Sequence, residues 1–384
     1  MNHWEIALSI QKTLIQHGYP TYITGGAVRD RFMDKDSADI DLATFAEAET
    51  IQQLFSRTEP VGAAFGTVLV IEQGVPFEVT SVRGDSIEDD LGSRDFSINA
   101  MALDADENLI DPFQGKRDIQ QKMIETVKNP DITLRDDPLR MLRALRFSLQ
   151  FSFEASERIL SWTKMNHHLM KDVAIERIVK EWEKVAFIDW DRLKVNNLLL
   201  HPLTVHDAKL FPDRELKNAL MMSGFPVASL TREQWWMFTL FDKDNLDQSI
   251  ARLKTMKLPN AIADQVKKTW KLVISFFQSE CLWTNRQLFN AGEQSIYDAC
   301  LLIQVYRNDD SCFSFLSCYQ RLPIHSRNDL QVNGDDLIQY FPTVPKRSYK
   351  QLFSKMIDAV LAGRIYNERE ALLNWVKEYD DNEN

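Results

Sequence analysis

The chain opens on an amphipathic run. In MNHWEIALSIQKTLIQHG, apolar residues recur at three- and four-residue spacing with Glu5 among them, which predicts a helix rather than a leader peptide. The pattern then changes. Short runs rich in Val, Ile, Thr and Tyr, bounded by Gly, Pro or Asp, occupy 20–24, 38–43, 67–72, 75–82 and 99–104, and each reads as a strand. Gly74, Val75 and Pro76, lying between two of these runs, indicate a hairpin connection, while 27–33 and 47–54 read as short helices. Strands mixed with helices, with a hairpin present, predict an α+β sheet domain over the first 115 or so residues.

From about Lys116 onward glycine becomes sparse and the apolar spacing turns helical. Leu139, Leu142, Leu145 and Leu149 form a stripe within 136–151, with Arg140, Arg143 and Arg146 set between them. Residues 173–185 place Ile175, Ile178, Val179 and Trp182 on one helical face, and 252–258, 261–277 and 350–360 continue in that manner. There is no fixed-period repeat, and the closing EYDDNEN is expected to fray. The pattern predicts a sheet domain followed by a helical array.

Composition narrows the picture. With 384 residues, 44% hydrophobic and 26% charged, the chain is that of a globular protein with more than one core. Forty-five basic against fifty-six acidic residues give a net charge of −11, which excludes a uniformly basic polyanion binder but leaves room for a local basic stripe. Thirteen Gly and thirteen Pro exclude collagen-like and low-complexity chains. Cys281, Cys300, Cys312 and Cys318 form no CxxC pair, which argues against zinc and against a disulfide framework. No stretch approaches the roughly 18 apolar residues of a membrane span. A cytoplasmic protein is expected.

Five pieces of the first 146 residues carry candidate chemistry. GGAVRD, at 25–30, follows a strand and opens a helix. Gly25 and Gly26 allow the backbone close to a phosphate, and Arg29 in the first turn can fork onto phosphate oxygens, although such a turn also serves simply to reverse the chain. Asp39 and Asp41, in ADIDLAT, lie two apart in a predicted strand, so both project from one face about 7 Å apart. Such a pair suits divalent metal ions in phosphoryl chemistry, or an edge strand with one solvated face. Glu78, a lone acid in VPFEVTSV, reads as a third catalytic carboxylate, as a partner for a nearby base, or as a solvent-facing position. In SRDFSINAMALD, Arg94, Asp95 and Asn99 either contact triphosphate and ribose or cap the turn. In RDDPLRMLRALRF, a helix starting near Pro138 brings Asp137 and Arg140 together at three-residue spacing, with Arg143 and Arg146 continuing the series. A salt-bridged surface helix is the plain account of that spacing; bidentate recognition explains why arginine is used throughout and lysine not at all.

Taken together, these pieces resemble the class II tRNA nucleotidyltransferases, the CCA-adding family of the polymerase-β-like superfamily. GGAVRD with DIDLAT is similar to that family's catalytic signature, SRDFSINA to its RRDF-type element, DPFQGKRDI to its DPFGG-type stretch and DDPLRMLRALRF to its EDxxR nucleotide-template helix. VAIERIVKEWEK is similar to its next conserved helix, and LPIHSRNDLQVNGDDLI and NEREALLNWV near the end also look familial. The resemblance is dense over residues 20–185, thin from 200 to 320 and moderate beyond.

It implies a polymerase-β-like nucleotidyltransferase head with a mixed sheet (1–126), followed by an all-helical neck carrying the template helix (127–200), body (201–310) and tail (311–384). It implies Mg2+ on Asp39 and Asp41, with nucleotide contacts by Gly25, Gly26, Arg29, Arg94, Asp95, Asn99, Asp137, Arg140, Arg143 and Arg146. The implied reaction is in-line attack of a tRNA 3′-hydroxyl on a nucleoside triphosphate, with release of pyrophosphate. The implied partners are CTP, ATP for the terminal residue, and tRNA held by its acceptor and TΨC arms. Arg252, Lys254, Lys257, Lys267, Lys268, Lys271, Lys346, Arg347 and Lys350 are candidates for its phosphates or ordinary solvated positions.

Departures from the family pattern refine the expectation. Ser93 replaces the first Arg of the RRDF element and Asp136 the Glu of EDxxR. Family members that add the whole CCA carry a flexible loop ahead of the RRDF element, whereas here only 83–93 connects Val82 to Arg94. Loss of that loop is associated with members that add only the two cytidines, so a CC-adding enzyme followed by a separate A-adding partner is expected. A poly(A) polymerase shares the head motifs but usually ends in a basic tail, and this chain ends acidic. A non-catalytic RNA-binding protein on a dead head is disfavoured because both aspartates and the arginines of the template helix remain. Trp235 and Trp236 read as packing rather than base stacking.

Overall fold

The computed structural model describes residues 2–37, 39–61, 66–186, 204–205, 208–209, 230–242, 244–279, 282–307, 310–342 and 344–383. Ala38 and Cys281, named above, lie outside them. The chain forms two compact units, Met1–His206 and Asp207–Asn384.

In the first unit, helix α1 (His3–Gln16) starts at a capping box of Asn2 and Glu5 and buries Ile6, Ala7, Ile10 and Leu14. Gln11, on the same face, donates to the carbonyls of Thr21 and Leu103, tying the helix to two strands. The strands are β1 (Thr21–Thr24), β2 (Asp41–Thr44), β3 (Thr58–Pro60), β4 (Thr67–Glu72), β5 (Val75–Ser81), β6 (Ala102–Leu103) and β7 (Leu109–Ile110). They form one mixed sheet in the order β3-β4-β5-β2-β1-β6-β7, with β2 parallel to β5 and the other pairs antiparallel. The hairpin joins β4 to β5 as expected, but Gln73 and Gly74 make the turn, both at positive φ, and Val75 and Pro76 already belong to the strand.

Two strand boundaries differ from the sequence reading. β2 starts at Asp41, so Asp39 and the buried Ile40 precede it. Of 99–104 only Ala102 and Leu103 pair, because Ser97–Asn99 winds into a 3-10 turn. Between the strands lie α2 (Gly26–Phe32), α3 (Ala48–Leu54) and α4 (Ile87–Gly92). Ile87 and Leu91 of α4 pack with Ala43, Ala100 and Ala102 in one buried cluster.

Past the sheet come α5 (Gly115–Gln121), the short parallel pair β8 (Met123–Ile124) and β9 (Glu154–Ala155), and helices α6 (Pro130–Asp136), α7 (Leu139–Phe151), α8 (Glu157–Asn166) and α9 (Ile175–Ala186). The run expected as one helix from 136 is broken. Asp137 stands before Pro138, and steric exclusion of the helical region at that position leaves it extended, at φ −140° and ψ 99°. Trp182 of α9 is fully buried, as the stripe of Ile175, Ile178 and Val179 predicts.

The second unit, among its described residues, has helical secondary structure apart from the short strand Ala208–Lys209, where the sequence reading expected helix alone. Its longest described helix, Asn260–Gln278, buries Trp270, whose indole donates to the carbonyl of Met237. Trp235 and Trp236 are 1% and 0% exposed and serve packing, as expected. The helix expected at 252–258 instead spans Leu246–Thr255, because Lys257 takes a positive φ and Leu258 precedes a proline. The acidic end expected to fray is helical, within Arg369–Glu383. Among the described residues, no helix is long and apolar enough to cross a membrane.

Candidate active site

One cavity of about 630 Å³ in the first unit gathers Gly25, Gly26, Arg29, Asp39, Asp41, Arg94, Asp95, Asn99, Asp137, Arg140, Arg143 and Arg146. Glu78 is the exception among the expected site residues. It lines an adjoining cleft of about 180 Å³ that shares Asp41, Arg83, Ser93 and Arg94 with the main cavity.

The glycine turn is built for close approach. Gly25 has φ +72°, and a Cβ there would stand 2.6 Å from Arg94 Nη1, so any side chain would displace the guanidinium. Arg94 is held by Thr24 Oγ1 at 3.0 Å, by the Asn99 carbonyl at 3.4 Å and by Asp90 at 3.1 Å. Arg29 is more enclosed than a phosphate fork would be. It donates to Asn99 Oδ1 and to Asp30 Oδ1 at 2.7 Å, and its guanidinium lies 4.5 Å from the Phe151 ring centre.

Asp41 opens the edge of β2, and Asp39 lies just before it on the loop where Ser37 Oγ donates to the Asp39 carbonyl. Only Asp41 is thus paired within the strand, whereas Asp39 belongs to the loop before it, yet both line the one cavity. Although Asp41 is accessible in the open cleft, desolvation by the surrounding protein, then Glu78, then Asp39 raise its pKa to about 6, and Arg94 opposes the rise. Crowding of carboxylates at this spot is the environment that a cation relieves. Among the described residues, no three metal-ligating side chains converge. Asp39 and Asp41 supply two carboxylates to the cavity, a number that suits a divalent ion that also takes phosphate oxygens and water.

Asp95 precedes the 3-10 turn without capping it, and lines the cavity. Its Oδ1 accepts the Phe96 N–H at 2.8 Å and Asn99 Nδ2 at 3.0 Å, while its Oδ2 accepts Arg143 Nε at 2.7 Å. Burial pushes its pKa up, but Arg143, Asn99 and the Phe96 N–H together hold it below the usual carboxylate range. Arg146 pairs with the buried Glu181 of α9, and its guanidinium lies 4.0 Å from the Phe147 ring centre. Arg143 and Arg146 are thus ion-paired within the protein, as the salt-bridge account expects, and both also line the cavity.

Asp137 and Arg140 both line the cavity, but their side chains are not partners. The helix break turns Asp137 toward α9, where its Oδ2 accepts Arg177 Nη2 at 2.8 Å and its Oδ1 accepts the Leu139 N–H at 3.2 Å. Arg140 donates to the carbonyls of Ser93 at 2.9 Å and Thr133 at 3.0 Å, with Asp136 3.6 Å away. Sequence reasoning missed Arg177, Glu181 and Asp90. The first two sit four apart on the one helix whose apolar stripe was read while its polar face was not, and that spacing was the available signal.

Residues 21–125 match a family model described as the Poly A polymerase head domain, and residues 229–376 match one described as tRNA nucleotidyltransferase domain 2. The chain is 32% identical to the CCA-adding enzyme of Anoxybacillus flavithermus over 386 residues, 96% of each chain. It is likewise 32% identical to the CCA-adding enzyme of Bacillus subtilis over 393 residues, 97% of each. The Bacillus stearothermophilus CCA-adding enzyme, solved in complex with CTP, matches it with a TM-score of 0.74 at 28% identity, covering 100% of this chain and 99% of that one. With its mixed-sheet head, helical remainder and single cavity gathering paired aspartates and arginines, the chain belongs to the CCA-adding enzymes, a family of tRNA nucleotidyltransferases.

Proposed function

We propose that this enzyme adds two cytidines to the 3′ end of tRNA from CTP, releasing pyrophosphate, and leaves the terminal adenosine to a separate enzyme. The observation that carries the reading is the one cavity that joins Asp39 and Asp41 to Asp137 and Arg140.

Asp39 and Asp41 are assigned the divalent cation, Mg2+, and Glu78 supports Asp41 from the adjoining cleft. When bound, that ion supplies charge neutralisation for the triphosphate and for the attacking 3′-hydroxyl. Gly25 and Gly26 admit the phosphates to the backbone, Arg94 faces them, Arg29 adds its charge from behind the turn, and Asp95 and Asn99 fix Arg143, Arg94 and Arg29 in place. Asp137 and Arg140 read the base. A carboxylate has about four acceptor positions, and two at Asp137 are taken, which leaves capacity for an exocyclic amine. Arg140 donates to the neighbouring ring nitrogen or carbonyl. Uracil and guanine present a carbonyl in place of the amine, and an unpaired group of that kind costs about 1–3 kcal/mol.

The restriction to cytidine rests on the connection from β5 to Arg94. It is a single short helix, α4, capped by Ser86, with Asp90 bonded to both of its ends. A connection so closed offers no lever to re-aim Asp137 and Arg140 for a purine. Full CCA addition with CTP and ATP is the alternative, favoured by the names of the relatives at 32% identity.

The tRNA is gripped along its acceptor and TΨC arms by the helical portion, divided as neck, body and tail at 127, 201 and 311. Lys268 and Lys271 line a cavity of about 300 Å³ with Gln287 and Asn290, and burial lowers the Lys268 pKa, a cost that a phosphate would offset. The enzyme works in the cytoplasm. Incubating tRNA that lacks CCA with CTP and ATP, and sizing the products, tests the reading. Two added residues support it, whereas a terminal adenosine on most molecules overturns the restriction.

A further inference from the structure

Asp90 holds the connection between β5 and Arg94 at both ends. The residue is 6% exposed. Its Oδ1 accepts the Arg83 N–H at 3.3 Å, and its Oδ2 accepts Arg94 Nε at 3.3 Å and Nη2 at 3.1 Å. Its backbone carbonyl accepts Ser93 Oγ at 2.7 Å, and the carbonyl of Ser93 accepts Arg140 Nη2 at 2.9 Å. Two guanidinium groups that line the cavity are therefore joined through one carboxylate and one short turn. Arg94 lies against the glycine turn, and Arg140 lies on the helix that carries base recognition.

We infer that Asp90 is a positioning residue that sets nucleotide selection. It fixes Arg94 on the phosphate side and, through the Ser93 carbonyl, Arg140 on the base side, so that both ends of an incoming nucleoside triphosphate are met at one spacing. Asp90 touches no substrate; it acts through the two arginines. Removing its charge frees Arg94 to turn and loosens the Ser93 carbonyl, and a looser Arg140 discriminates less between a donor and an acceptor on the base. This inference rests on the base-reading role proposed for Arg140.

The test is D90N, with D90A beside it. Asparagine keeps the shape and an acceptor for the Arg83 N–H but turns an amide toward Arg94. Steady-state incorporation is measured for CTP and UTP on tRNA lacking CCA. The expected result is a KM for CTP raised about tenfold and a CTP:UTP ratio of kcat/KM lowered about tenfold, the scale of one charge-assisted hydrogen bond. A merely structural role lowers kcat for both nucleotides together, as active protein is lost, and moves neither KM nor the ratio. A KM and ratio within about twofold of wild type in folded D90N overturns the inference. Should D90A fail to fold, D90N decides alone. R140A separates the two claims. If R140A lowers the ratio and D90N does not, only the role of Asp90 falls; if R140A leaves the ratio intact, the base-reading assignment falls.

Discussion

Arg177 Nη2 lies 2.8 Å from Asp137 Oδ2, so the carboxylate assigned to base reading is already engaged by a cation from the next helix. The pair is half exposed, and such pairs contribute at most about 1 kcal/mol to stability. Its effect lies in orientation. R177A is expected to leave the melting temperature within about 2 °C of wild type. The same change lowers the CTP:UTP ratio of kcat/KM several-fold, because Asp137 is no longer fixed on both oxygens. R177K recovers part of the loss. Thermal melts and single-nucleotide incorporation kinetics check this.

The carboxylate crowding at Asp41 has a signed consequence. Its pKa of about 6 lies above the ordinary carboxylate value, so its charged form weakens the fold at neutral pH, and that penalty disappears as pH falls from about 6 toward 4. In EDTA, D41N is therefore expected to melt above wild type at pH 7.5, with the gap closing by pH 4. Adding Mg2+ raises the wild-type melting temperature more at pH 7.5 than at pH 5.5, where protons compete, and leaves D41N unmoved. Scanning calorimetry across these conditions is the check.

Buried Asp95 and half-buried Arg143 form a charge pair with the opposite sign. Arg143 holds the Asp95 pKa down, so the pair contributes stability above the unfolded carboxylate pKa, and acid removes it as pH falls through the lower folded value. R143M leaves a buried carboxylate whose hydrogen bonds to Asn99 and Phe96 remain but whose cation is gone. The loss of about 3–5 kcal/mol on breaking a fully buried pair is the upper bound for this partly exposed one. The deficit relative to wild type is expected to be greatest at pH 7 and to shrink toward pH 3, as denaturant melts at both pH values would show.

In the second unit, Trp236 is fully buried within a helix that also buries Trp235 and Phe238. W236A is expected to destabilise that unit by about 3–5 kcal/mol, the usual cost of an aromatic truncated to alanine in a core. Nucleotide binding by the first unit, measured by calorimetric titration with CTP, should persist.

Period and punctuation in the sequence made five of the sheet's seven strands, the hairpin and most of the later helices readable, whereas β3, β7 and the β8–β9 pair, two or three residues each, are too short to show a period. The glycine, aspartate and arginine motifs all lie on the one cavity. Geometry that depends on a single exception was not readable. Pro138 bars Asp137 from the helix, and so the three-residue spacing to Arg140 does not make a side-chain pair. Asp39 reaches the cavity from a loop, because pairing of β2 starts only at Asp41. Asp90 carried no signal as a site residue, and the spacing of Glu181 from Arg177 was a weak one, because acids on helices usually face water. Here each is buried against arginines that come from other segments or from the following turn, and only the folded chain brings those together.

The central claim is that Asp39 and Asp41 hold the reacting centre beside a carboxylate and a guanidinium that select the base. Its most direct measurement supplies CTP, UTP, ATP and GTP one at a time to tRNA lacking CCA, with wild type, D41N and R140A. Wild type is predicted to add two residues from CTP and almost nothing from UTP or GTP. D41N should be inactive, and R140A active but indiscriminate between CTP and UTP. Incorporation by D41N at the wild-type rate, or unaltered selectivity in R140A, would contradict the account.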